Sequence, residues 1–153
     1  MKRWLVAGGI VVVLGSAGGG LYLHAKASGA LPKAVTKQVS FTLYYPTQLP
    51  RGYTLNKTTA RVENDILFYS LKSGSKEVRV SEQAAPTRPP DLNSIPGFKK
   101  LESIAGNAAI GKNAGAPTAL LITNTTLITI SGTATVPQDV IVRLTQQMTS
   151  LET

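Results

Sequence analysis

Residues 66–80 read ILFYSLKSGSKEVRV, and this stretch decides the class of the fold. Its first half, Ile66 to Lys72, is rich in residues that favour strands, and Ser73-Gly74-Ser75 has the small residues typical of turns. Val78 and Val80 then alternate with charged and polar residues, as in a strand with one buried face. The stretch therefore predicts two antiparallel strands joined by a tight turn.

The segments before this hairpin extend it into a sheet. Val39 to Tyr45 alternates apolar and polar residues, which predicts a strand with Phe41 and Tyr45 facing inward and Tyr44 facing outward. A further strand is predicted over about residues 53–62. Residues 39–83 are therefore expected to form an antiparallel meander.

The segments after the hairpin predict a crossing loop and more strands. Residues 84–100 contain four prolines, a density that a central strand does not tolerate, so we expect a long loop with one short helical turn after Pro90. Short strands are predicted near residues 101–104 and 108–111. A hairpin follows, with arms at about 118–123 and 126–131.

The chain is predicted to end in an amphipathic helix. Thr135-Val136-Pro137-Gln138 resembles a capping box with proline in the first turn. One face of the following helix carries the apolar residues Val140, Ile141, Leu144, Met148 and Leu151. Packing of this face on the sheet gives an α+β fold, with an antiparallel meander packed by a C-terminal helix.

A different signal lies at the N-terminus, where residues 4–23 contain no charged side chain. As a helix they would span ~30 Å, the thickness of a bilayer's hydrocarbon core. Lys2, Arg3 and Lys26 flank the run, and Trp4 and Tyr22 stand at its ends, where aromatic rings favour the membrane interface. The segment is predicted to be a transmembrane signal anchor, after a cytoplasmic tail of residues 1–3.

A cleaved secretory signal is the alternative for this segment. Its strongly apolar part ends at Leu14, and the six glycines within residues 4–23 weaken the case for a stable membrane helix. Gly15-Ser16-Ala17 and Ala25-Lys26-Ala27 are small-x-small sites at which a signal peptidase could cut. Cleavage there would release a secreted protein.

The charge distribution defines a linker and argues against a nucleic-acid partner. The net charge is +8, but five of the excess charges flank the apolar run, at Lys2, Arg3, Lys26, Lys33 and Lys37. Residues 24–38 are therefore interpreted as a basic juxtamembrane linker, before a domain over residues 39–153. Basic residues in that domain are scattered and nearly balanced by acids, so no nucleic acid is expected to bind.

Residues that could support catalysis or hold a cofactor are scarce. The chain has no cysteine, and its single histidine, His24, lies outside the predicted domain. Without a thiol, or a histidine beside a serine, the common nucleophilic mechanisms are not available. We therefore expect neither enzyme activity nor a metal or other cofactor. An enzyme acting on wall material would need two carboxylates brought together in a cleft by folding.

Tyrosines and one arginine are the candidates for an interaction patch. If Tyr44 and Tyr69 both face outward, they form with Arg79 a surface that could bind an envelope protein, a peptide or a glycan. The simpler interpretation is that such tyrosines only cover one face of the sheet.

Several short motifs together suggest a family. They are Pro46-Thr-Gln-Leu49-Pro50-Arg-Gly52-Tyr53, Ser81-Glu82-Gln83-x-x-Pro86, Gly106-Asn-Ala108-Ala-Ile110-Gly111 and Leu127-Ile128-Thr129-Ile130. In this order, over about residues 40–151, the chain resembles a family of uncharacterised, membrane-anchored bacterial ectodomains of the candidate phyla radiation. That family is distantly similar to extracytoplasmic domains of sigma and anti-sigma regulators. The resemblance implies an anchor with an α+β ectodomain and supplies no catalytic residues.

The function expected from the sequence is a non-catalytic one at the cell envelope. The chain is predicted to be a single-pass protein of the cell membrane, in contact with the lipid bilayer, whose extracytoplasmic domain serves as a binding or regulatory module. A surface or pilin-like structural subunit and a secreted binding protein are the alternatives. The sequence leaves the oligomeric state open.

Overall fold

A computed structural model describes the backbone of two strands at residues 3–7 and 10–14, and the chain from residue 31 to residue 151. The described elements are β1 Arg3–Ala7, β2 Ile10–Leu14, α1 Lys33–Thr36, β3 Tyr44–Pro46, β4 Thr54–Glu63, β5 Ile66–Ser73, β6 Lys76–Ala84, a 3-10 turn Leu92–Ser94, β7 Lys99–Leu101, β8 Asn107–Asn113, β9 Ala116–Ile122, β10 Thr126–Gly132, α2 Gln138–Gln146 and β11 Met148–Ser150. This mixture of antiparallel strands and helix is an α+β fold.

The main sheet joins two meanders. Its strand order within the described residues is β1-β2-β4-β5-β6-β10-β9-β8-β7, with every neighbouring pair antiparallel. After β6 the chain crosses to the far edge, forms β7, and returns strand by strand until β10 pairs with β6. The predicted strands β4, β5 and β6, the crossing loop with its helical turn, and the β9–β10 hairpin are confirmed.

The larger of two hydrophobic clusters lies on one face of the main sheet, which we call the inner face. It carries the buried side chains of Leu67, Tyr69, Leu71, Val78, Val80, Leu121, Ile128 and Ile130. Helix α2 packs on β9 and β10 through Ile141 and Leu144, as the amphipathic pattern predicts. Helix α1 and the β3–β11 pair contribute further buried residues to the same core.

The first predicted strand is shorter than expected and belongs to a different sheet. Residues 39–43 are not in a strand, and β3 pairs with β11 instead of extending the meander. Pro46 sits within this strand pair, in register with Met148. Proline is tolerated there because a two-stranded sheet has only edge strands.

The C-terminal helix also differs from its predicted limits. Its N-cap is Pro137, no side chain caps it, and Thr135 makes no capping-box contact. The helix ends at Gln146, so Met148 is buried from β11 rather than from the helix face. Residues 148–150 pair with β3, and this pairing replaces the backbone hydrogen bonds that they would have made in a longer helix.

The structured domain begins before residue 39. Leu31 and Val35 are buried in the core, and α1 follows Pro32, which stands at its N-cap. Part of the predicted linker, residues 24–38, is therefore folded against the sheet, where these two apolar side chains are buried. Residues 24–30 lie outside the described residues.

The N-terminal strands occupy the first half of the segment predicted as a membrane helix. β1 and β2 pair with each other, and β2 contacts β4 where Val11 is in register with Val62. The β-branched composition of β2 favours a strand. Tyr22 and Lys26, like Lys2, fall outside the described residues. Within the part of the chain that is described, no helix is long and apolar enough to cross a membrane.

Candidate functional site

The three residues of the predicted patch do not share a surface. Tyr69 is 2% exposed and lies in the core, with its ring centroid 5.7 Å from that of Tyr45. Arg79 is exposed on the opposite face of the sheet, where it contacts Glu77 at 3.2 Å. Tyr44 is half-buried on β3. The expected outward orientation of Tyr69 is therefore wrong. Tyr69 lies on the same face of β5 as Leu67 and Leu71, and the burial of these two leucines places its ring in the core.

A buried acid lies beside Tyr69 instead. Glu82 is fully buried on the inner face of β6, in register with Leu67 of β5 and Ile128 of β10. Its Oε2 accepts a hydrogen bond from the backbone N–H of Tyr44 at 2.8 Å, and its Oε1 accepts one from the Tyr69 hydroxyl at 3.5 Å. Burial among apolar side chains raises the pKa of Glu82 to about 8.

The position of Glu82 could have been found in the sequence. It follows Val78 and Val80 at a spacing of two, which places it on the buried face of the strand. A carboxyl group on the buried face of a strand destabilises the fold unless it is hydrogen-bonded or protonated. The group is closed to solvent, so it acts on the fold and on β3 rather than on an external ligand.

The open site of the domain lies under the crossing loop. We call residues 85–98 the strap. Its first end is held by the backbone N–H of Ala85, which donates to Thr125 at 2.9 Å. Its second half is held by Leu92, Ile95 and Phe98, which pack on outer-face residues of the sheet. The segment between these anchors, which includes Pro86, Pro89 and Pro90, is exposed.

A cleft of about 1000 Å³ separates the strap from the end of the sheet. One wall is formed by the strap, the other by β7, the loop after it, the start of β8 and the β9–β10 turn. The polar side chains that line it include Asp91, Asn93, Lys100, Glu102, Asn107 and Asn124. The volume is at the upper end of the roughly 300–1,000 Å³ that is usual for ligand sites.

The polar groups of the cleft are partly organised by local contacts. The Asp91 carboxylate accepts the backbone N–H of Asn93 at 3.0 Å, which starts the 3-10 turn. Lys100 and Glu102 form an ion pair at 3.6 Å, and both side chains are exposed. Such an exposed pair contributes little to stability, so a ligand could replace the contact between the two side chains at a small cost in free energy.

Two further features adjoin the cleft. β7 is the last strand of the sheet in the described chain and pairs on one side only, with β8. Ile104, in the loop after β7, is 88% exposed and is the most exposed large apolar side chain in the described residues. No sequence signal pointed to either feature.

The described residues contain no cluster of three or more histidine, cysteine, aspartate or glutamate side chains that could hold a metal ion. Asp91 and Glu102 are the two acids that line the cleft, and Glu102 is paired with Lys100. No family model, curated protein or solved structure matches the chain.

Proposed function

We propose that this chain is a single-pass, membrane-anchored protein whose extracytoplasmic α+β domain is a non-catalytic binding or regulatory module at the bacterial cell envelope. The observation that carries the proposal is the cleft of about 1000 Å³ between the strap and the ends of β7, β8 and β9. The sequence motifs resemble those of uncharacterised membrane-anchored bacterial ectodomains, a family distantly similar to extracytoplasmic domains of sigma and anti-sigma regulators, and this resemblance is in keeping with the proposed function.

The anchor is supported by the length and charge of the N-terminal segment. Residues 4–23 have no charge and are flanked on both sides by basic residues. In lipid, every backbone N–H and C=O needs a partner within the protein, and a continuous helix provides one for nearly all of them. We therefore propose that this segment is helical when it is in a membrane.

The topology can be tested because the chain has no cysteine. Ser94→Cys places one thiol on the exposed strap, and Lys2→Cys places one before the apolar segment. A membrane-impermeant maleimide added to intact cells should label Ser94→Cys alone, and lysis should make Lys2→Cys reactive. Equal labelling in intact cells, or release of the protein by carbonate, would contradict the anchor. An N-terminus near residue 18 or 28 would favour the secreted alternative.

Binding in the cleft can be tested separately by hydrogen exchange. The full chain is compared in native membranes and after purification in detergent. A ligand held in the envelope should slow amide exchange in the strap and β7 in the native membranes, with β4 as an internal reference. Identical exchange in both states would contradict a cleft-bound ligand.

A further inference from the structure

We infer that the β3–β11 pair opens away from the main sheet when Glu82 loses its proton, while the main sheet itself stays folded. Glu82 is then a pH-dependent switch for one face of the domain. This inference goes beyond the proposed function, since it depends neither on a membrane anchor nor on a ligand in the cleft.

The β3–β11 pair is attached to the fold as a separate unit. β3 and β11 pair only with each other in the described chain, and they form a sheet of their own. Within residues 31–151, no main-chain hydrogen bond joins this pair to a strand of the main sheet. The pair can therefore leave the main sheet without breaking any of its ladders.

Two side-chain hydrogen bonds in the described chain link the main sheet to residues 42–46. Glu82 Oε2 accepts the backbone N–H of Tyr44 at 2.8 Å, and the hydroxyl of Thr126 donates to the carbonyl of Thr42. Of the side chains in these contacts, Glu82 alone can change its charge near neutral pH. The remaining attachment is apolar, through the buried side chains of Leu43, Tyr45 and Met148.

Within residues 31–151, no cation faces Glu82 from the elements packed around it. β5 presents Leu67 and Tyr69, β10 presents Ile128, and β3 contributes Tyr45, whose ring lies beside that of Tyr69. An ionised Glu82 in the closed fold is therefore a buried charge without a partner, which is strongly unfavourable. The charged side chains of the helices on this face are exposed, and they are Lys33 and Lys37 at α1 and Asp139 and Arg143 on α2.

Opening of the pair relieves this unfavourable state, because water then reaches the carboxyl group. Burial raises the pKa of Glu82 to about 8 in the closed fold, whereas its ordinary value in water is 4.5. The open state therefore holds fewer protons between these two values, and rising pH favours it. The ratio of open to closed molecules should increase up to about tenfold per pH unit from about pH 5 to about pH 8 and level off above.

Hydrogen exchange of the full chain in lipid nanodiscs tests this opening, with each rate divided by the intrinsic rate of that amide at the same pH. A two-stranded pair is only marginally stable by itself in water, so the amides of β3 and β11 exchange once the pair leaves the sheet. Their opening constants should rise with pH as stated and exceed those of β8 and β9 at every pH. Equal opening constants in β11 and β9 would mean that only the whole domain opens, and would overturn the inference.

Three variants show whether Glu82 controls the opening. Glu82→Gln is neutral at every pH, so the opening constant of β3 and β11 should no longer depend on pH, whereas Glu63→Gln should keep the dependence. Tyr69→Phe removes the hydroxyl that donates to Glu82 Oε1, which makes ionisation harder and should move the levelling-off to higher pH. A pH dependence that persists in Glu82→Gln would assign the opening to another group and overturn the inference.

Thiol labelling gives an independent measurement, because the chain has no cysteine. Met148→Cys reports exposure of β11, and Leu121→Cys reports exposure of β9, since both natural side chains are fully buried. After correction for the thiolate fraction, Met148→Cys should react at least ~10-fold faster than Leu121→Cys at pH 8, and the addition of Glu82→Gln should remove most of this difference. Equal labelling of the two cysteines would overturn the opening of the β3–β11 pair.

Discussion

The carboxyl Oε2 of Glu82 accepts a hydrogen bond from the backbone N–H of Tyr44 at 2.8 Å, and this contact joins the centre of the main sheet to β3. The two residues are 38 positions apart in the sequence. Glu82 makes no ion pair within residues 31–151, and the titratable side chains facing it are those of Tyr69 and, beyond it, Tyr45. The link between β3 and the sheet therefore depends on a carboxyl group without a cation.

This arrangement predicts that the protein loses stability as the pH rises from about 4.5 to about 8. The folded chain holds a proton on Glu82 up to about pH 8, because burial raises its pKa, whereas the unfolded chain releases it near 4.5. The free energy of unfolding should fall with a slope of at most ~1.4 kcal/mol per pH unit in this window. Urea unfolding followed by circular dichroism at several pH values measures the slope.

Glu82→Gln tests whether this residue causes the slope. The amide stays neutral and its oxygen can still accept the Tyr44 N–H, so the variant should be nearly independent of pH in the window and more stable than the natural chain at pH 8. Glu63→Gln, on the partly exposed end of β4, is the matched control and should keep the slope. An unchanged slope in Glu82→Gln would refute the assignment.

A second group acts in the opposite direction at lower pH. A hydrogen bond from Ser70 and the charge of Arg79 lower the pKa of Glu77 below its usual value of 4.5. Its contribution is present above pH 4.5 and is lost as the pH falls below that value. The two carboxyl groups therefore affect stability in separate pH ranges. Above pH 5, the pH dependence of the free energy of unfolding comes from Glu82.

Thr126→Val should destabilise the protein by about 1–3 kcal/mol. Thr126 is fully buried, and its hydroxyl donates a hydrogen bond to the carbonyl of Thr42. Valine has the same shape but leaves that carbonyl without this donor. Thr129→Val, a partly exposed position on the same strand, should change the free energy of unfolding by about 0.5 kcal/mol or less. Equal effects of the two substitutions would show that the hydroxyl of Thr126 is unimportant.

Gly111→Ala should loosen the strap and cost about 1–3 kcal/mol. A methyl group at this position would lie 2.7 Å from the Phe98 ring and 2.8 Å from the carbonyl oxygen of Gly97. In a Phe98→Ala background the same substitution should cost less, because the ring is gone and only the carbonyl remains. Chemical unfolding of the four proteins in this cycle gives the coupling. Simple additivity would mean that Phe98 and Gly111 are not in contact.

Ile141→Ala should cost about 2–5 kcal/mol, because its side chain is fully buried between α2 and the sheet. Val142→Ala, at the next and partly exposed position, should cost clearly less. Thermal or urea unfolding of both variants measures the difference. A similar loss for both would mean that α2 packs through a different face.

Local patterns predicted most of the strands because they depend on neighbouring residues. The alternation over Val78 and Val80 and the turn at Gly74, where φ is +61°, both act within a few positions. The sequence of β5 did not show which face of the strand is buried, because both faces are apolar. Its pattern could not tell whether Tyr69 or Phe68 faces the core, and Tyr69 does so.

The cleft could not be predicted in the same way. Its walls come from residues 85–93, 100–108 and 122–124, which are brought together only when β7, β8 and β9 pair. The prolines of the strap indicated a loop, but the space beneath that loop depends on where β7 pairs. The partner of β3 was missed for the same reason, because residues 44–46 meet residues 148–150 only after the sheet has formed.

The antiparallel strands, the crossing loop and the amphipathic helix could be predicted from the sequence, because side-chain alternation and turn residues act over a few positions. The identity of the edge strands, the face that Tyr69 occupies and the complete enclosure of Glu82 depend on the assembled fold. Those properties depend on contacts between distant segments. The burial of a carboxyl group and the exposure of a strand edge exist only once these contacts are made.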